Sequence, residues 1–98
     1  MTNDVAFSVA SLWEIGIKSA QGRAEFQVNP RLLRRSLMAT DYREYLIDSE
    51  HALVAAALPP IHKDPFDRML VAQATVEGLV LLTSDPILGQ YPGSVQLV

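Results

Sequence analysis

The chain has 98 residues, 49% of them hydrophobic and 19% charged, which is enough apolar side chain for one core and argues against a disordered tail. Acidic residues outnumber basic ones to leave a net charge of −3, so a protein that coats nucleic acid by bulk charge is excluded, while a local basic patch is not. There is no Cys, which excludes a disulfide scaffold, thiolate zinc sites and a thiol nucleophile and fits a reducing compartment.

Residues 5–9, Val-Ala-Phe-Ser-Val, read as a short strand. Leu12, Ile15 and the stem of Lys18 then recur at helical spacing, predicting a helix over about 10–20 that stops at Gly22. Ser11 stands three before Glu14, the spacing of a capping box. Residues 25–28 are too short to assign. Asn29-Pro30 opens a second helix with an apolar stripe of Leu32, Leu33, Leu37 and Met38, and with Arg31, Arg34 and Arg35 on another face. Asp41 ends it.

Tyr42, Tyr45, Leu46 and Ile47 suggest a strand. Asp48-Ser49-Glu50 suits a helix N-terminus, and the Ala-rich run that follows ends at Pro59-Pro60. Asp64-Pro65 opens the clearest helix, with Phe66, Met69, Leu70 and Ala74 on its apolar face and Gly78 as its stop. Residues 79–83 are almost continuously apolar, the pattern of a strand buried on both faces of a parallel sheet. A short helical turn over 87–91 and a terminal strand over 95–98 complete the chain. Strands alternating with helices predict one α/β domain over residues 1–98 with a largely parallel sheet. No apolar stretch approaches the roughly 20 residues that span a bilayer, and residues 1–4 have no leader character, so a soluble cytoplasmic domain is expected.

In parallel sheets, ligands sit beyond the carboxyl ends of the strands. Three acidic residues meet that condition: Glu14 after the first strand, Asp67 in the first turn of its helix, and Asp85 directly after 79–83. Gathered at one point they need a cation between them, and an oxygen-rich set without Cys or paired His favours Mg²⁺ or Mn²⁺. Each also has a structural reading. Glu14 suits capping with Ser11 or a pair with Lys18, Asp67 complements its helix N-terminus, and Asp85 caps the turn at Pro86. His51 reads as a residue packed on its helix and Trp13 as core.

The string from Phe7 to Lys18, with Ser8, Ser11, Trp13, Glu14 and Ile15, resembles the second-strand segment of PIN-domain proteins of the VapC toxin type. His62-Lys63-Asp64-Pro65-Phe66-Asp67-Arg68 is similar to their third acidic motif, and Leu81-Leu82-Thr83-Ser84-Asp85 to their fourth. The resemblance implies a PIN-like three-layer α/β sandwich and Mg²⁺- or Mn²⁺-dependent endoribonuclease activity. It implies Glu14, Asp67 and Asp85 as metal-holding catalytic acids, with Thr83, Asp64 and Ser11 in support. Expected RNA contacts are Lys18, Arg68 and His62. Expected partners are an RNA substrate, a small antitoxin and a second copy of the chain. Family members begin with a central strand carrying a leading Asp, in a string like Leu-Asp-Thr, and neither Asp4 nor another early residue matches it. The expectation is therefore a sheet incomplete at its N-terminus, exposed strand edges, a dimer or domain-swapped assembly, and impaired cleavage. The alternative is a non-catalytic remnant that oligomerises or binds an antitoxin.

Overall fold

The computed structural model describes residues 5–22, 27–91 and 94–98. Residues 1–4 and Glu25, on which parts of the sequence reading rest, lie outside them. The chain is mixed α/β and divides into two compact units, residues 1–46 and 47–98.

In the first unit, β1 (Ala6–Ser8) leads into α1 (Val9–Ala20), and α2 (Pro30–Ala39) leads into β2 (Arg43–Tyr45). β1 and β2 pair in parallel, with Ala6 opposite Arg43 and Ser8 opposite Tyr45. Two helices between the strands provide the crossover that a parallel pair requires. The cap of α1 corrects the sequence reading. Buried Ser8, not Ser11, is the N-cap, its Oγ accepting from the Ala10 amide at 3.0 Å. Ser11 and Glu14 therefore lie inside the helix and form no capping box. β1 is short because Ser8 is already capping, which draws Val9 into the helix. Asn29 caps α2 as its sequence predicts, accepting from the amides of Arg31 and Leu32. Of the apolar stripe on α2, Leu33 and Leu37 are half-buried, while Leu32 and Met38 are exposed.

Arg34 on α2 grips Glu44 on β2 through both guanidinium and carboxylate edges. The Arg34 hydrogen bonds hold the Glu44 carboxyl below its ordinary range, against a smaller opposing effect of burial. A carboxylate whose pKa is depressed on folding stabilises the fold above its unfolded value and loses that contribution as pH falls through the folded one. Glu44→Gln is accordingly expected to lower Tm slightly at pH 7, because the pair is solvent-screened. Melts at decreasing pH should show the gap from the wild type closing in the acidic range; a gap independent of pH would contradict this role.

In the second unit the order is α3 (Ser49–Ala57), α4 (Pro65–Glu77), β3 (Leu81–Thr83), a 3-10 turn (Leu88–Gln90) and β4 (Val95–Leu97). β3 and β4 pair in parallel, Leu81 opposite Val95 and Thr83 opposite Leu97. α4 packs on α3 and on β3. Its buried residues are Val71, Ala72, Gln73 and Ala74, one full turn enclosed on all sides. The core is Val71, Leu88 and Tyr91, with Leu58, Ile61, Leu81 and Val95 packed against it. Gly78 ends α4 at φ +69°, a conformation that costs glycine nothing.

His51 is buried at 1% exposure without strain on its polar atoms. Its Nδ1 accepts the Asp48 amide at 3.1 Å, while the Asp48 carboxylate accepts the His51 amide, a reciprocal cap on α3. With Nδ1 accepting, Nε2 carries the proton and donates to Glu77 at 2.9 Å. Asp48, His51 and Glu77 form a group of metal-ligand types, but one ring nitrogen is spent on capping α3 and the other on holding α3 to α4.

The strand over 79–83 is not buried on both faces. Val80 is 61% and Leu82 62% exposed. The apolar run reports a strand whose second face is uncovered within the described chain: α4 covers one side, and each strand has a single partner among the described residues.

Candidate functional site

Two of the three predicted acids meet in the second unit. Asp67 sits in the first turn of α4, and Asp85 directly follows β3. Their Oδ2 atoms lie 3.4 and 3.2 Å from Nε2 of His62, which stands in the loop between α3 and α4.

Local chemistry places each carboxylate. Asp64 caps α4, its Oδ1 accepting from the amides of Phe66 at 2.8 Å and Asp67 at 3.4 Å. Pro65 at the first helical position has no amide to satisfy. The cap therefore leaves the Asp67 carboxylate out of the capping task. At the other strand end, Thr83 Oγ1 accepts the Asp85 amide at 3.0 Å, and Asp85 Oδ1 accepts the Ile87 amide at 2.9 Å. The structural reading of Asp85 as a turn cap thus holds for one oxygen, and that bond aims the other, Oδ2, at His62.

His62 is fixed from three sides. Its ring Nδ1 accepts the Asp64 amide at 3.0 Å, its own amide donates to the Tyr91 hydroxyl at 3.0 Å, and its carbonyl faces the Arg68 guanidinium at 3.4 Å. Tyr91, buried in the core, donates its hydroxyl hydrogen bond to the Pro59 carbonyl at 3.2 Å. Arg68, expected as an RNA contact, spends its guanidinium on the α3 end: on the carbonyls of Ala55 at 2.7 Å, Leu58 at 3.1 Å and Pro59 at 3.1 Å. It makes no i,i+4 pair with Asp64. The sequence gives His62 only as an expected RNA contact and does not show its place beside both acids. The signal available was its position two before the capping Asp64, where a side chain can accept an amide and lock the loop. Tyr91 had no signal in the sequence.

Glu14 belongs to the first unit. It lies on α1, where it pairs with Lys18 at 3.1 Å in the i,i+4 geometry its spacing predicts.

The donor set suits a hard divalent cation. The facing atoms of Asp67, Asp85 and His62 all lie within 4.8 Å of one another. Two carboxylate oxygens aimed at one point repel each other unless positive charge or a donor stands between them. The profile of the PIN-domain family matches residues 1–93. The chain belongs to the PIN-domain family. Searches of curated proteins and of solved structures returned no significant match. Membership in the PIN family points to nuclease chemistry on nucleic acid supported by a divalent metal. His62, Asp67 and Asp85 are one of two groups of metal-ligand types among the described residues. No helix among the described residues is long and apolar enough to cross a membrane.

Proposed function

We propose that this PIN domain is a cytoplasmic endoribonuclease of the VapC type, dependent on Mg²⁺ or Mn²⁺. The observation that carries the reading is the convergence of Asp67 and Asp85, from separate elements, on a point marked by His62 Nε2. Asp67 and Asp85 are the cation-holding acids, and Glu14 is the catalytic acid proposed for the first unit. A bound divalent ion supplies charge neutralisation at the phosphodiester and lowers the pKa of water. Asp85 is oriented by Thr83 and by its own bond to the Ile87 amide, and Asp67 by the turn that Asp64 caps. Lys18 and His62 provide polar hydrogen for the RNA phosphates. Cleavage of RNA on addition of Mn²⁺, and its loss in excess chelator, tests the reading. A wild-type chain inert with both ions would favour the non-catalytic alternative.

A second copy of the chain and an antitoxin are the proposed protein partners. The exposed Leu82 on β3 and Val80 just before it support association, because an uncovered apolar strand is a ready pairing surface. Light scattering should then report a dimer or larger species; a clean monomer at micromolar concentration would count against it. An antitoxin should suppress the cleavage in proportion to the amount added.

A further inference from the structure

His62 and His51 share one wiring. In each, Nδ1 accepts a backbone amide, which obliges Nε2 to carry the ring proton and act as a donor. Around the buried His51 ring that donor meets the carboxylate of Glu77, an exposed residue at the end of α4. Around His62 it meets two carboxylates, and its side chain is 16% exposed. A ring nitrogen that carries a proton has no lone pair for a metal. For His62 to ligate through Nε2, the proton would have to move to Nδ1, where it would oppose the Asp64 amide proton.

We propose that His62 is a positioning residue that holds the cation's place: in the ion-free protein its Nε2–H donates to Asp85 at 3.2 Å and faces Asp67 at 3.4 Å, and the ion must displace it. This rests on the function proposed above. The two Oδ2 atoms that face His62 are the ones an ion would take, so donor and ion compete for the same lone pairs. The donor keeps two like charges together before the ion arrives. It also costs the ion affinity, because one charge-assisted hydrogen bond is broken on binding. Once displaced, the donor is left beside the site, where a phosphate oxygen of the substrate can accept it.

The test uses His62→Asn. An Asn at this position can accept the residue-64 amide through its side-chain oxygen in an Asx turn, keeping the loop closed while withdrawing the ring donor. Calorimetric titration with Mn²⁺ at pH 8, without RNA, should show the variant binding about fivefold more tightly than the wild type. The chain holds two His, so ring ¹⁵N spectra are simple to read. Both rings should show protonated Nε2 and bare Nδ1. Adding Mg²⁺ should shift the His62 Nε2 signal and leave that of His51 in place. Equal or weaker Mn²⁺ binding by the variant, or an unshifted His62 signal at saturating Mg²⁺, overturns the placeholder while leaving the nuclease reading standing. Absence of ion binding by the wild type overturns both.

Discussion

Asp67→Asn is expected to reduce Mn²⁺-dependent RNA cleavage at least about 100-fold, the order of loss that follows when a metal site loses a charged ligand. The fold should survive the change. Asn has the shape of Asp, and the N-terminus of α4 is capped by Asp64 rather than by Asp67. Removing one negative charge from the first helical turn costs about 0.3–1 kcal/mol of dipole stabilisation. Relief of its repulsion with Asp85 offsets part of that cost. Activity and Tm should therefore separate, with cleavage lost and the melt almost unchanged. Glu14→Gln, assayed alongside, extends the test to the first unit. A loss of similar size makes Glu14 a catalytic acid, whereas wild-type cleavage removes it from that role. If Asp67→Asn itself cleaves at the wild-type rate, the acidic pair is not the nuclease centre.

The largest effect on stability is expected from Arg68→Ala, about 3 kcal/mol, or roughly 12–20 °C in Tm for a chain of this size. The guanidinium donates to the carbonyls of Ala55, Leu58 and Pro59 at and just beyond the end of α3; Ala55 also accepts the Leu58 amide and Pro59 the Ile61 amide, so Arg68 ties together three carbonyls of one turn and supplies the donor to Leu58. Pro59 and Pro60 cannot supply amides of their own. Arg68 also touches the His62 carbonyl and, at 3.5 Å, the Tyr91 hydroxyl. Its loss should therefore loosen the loop that carries His62 and reduce cleavage even well below the melting temperature. Arg68→Lys should recover only part of the stability, since one ammonium cannot span acceptors spread around a planar fork. A thermal melt decides the matter: an Ala variant within about 2 °C of the wild type would show that water satisfies those carbonyls equally well.

Local signals were legible where one residue decides a local structure. Asn29, Asp48 and Asp64 each cap the helix that follows, and Gly78 ends α4, because capping depends on chemistry within four residues of the site. The misreading of Ser11 has the same local character. Ser8 and Ser11 both offer a hydroxyl ahead of an apolar run, and the choice turned on where β1 hands over to α1. The strand over 79–83 was legible as a strand but not in its burial. Apolar composition states what a strand can cover, and the elements that come to lie on it decide what is covered.

The sequence by itself determined the order of strands and helices, the caps of α2, α3 and α4, and the candidacy of Asp67 and Asp85, since each depends on residue type and short spacing. Only the tertiary structure decided that Asp85 turns one oxygen to the Ile87 amide and the other to His62, and that Arg68 serves the end of α3. Those outcomes depend on side chains from distant positions meeting around Tyr91 and the Val71–Leu88 core, and proximity of that kind is created by packing rather than written in neighbouring residues.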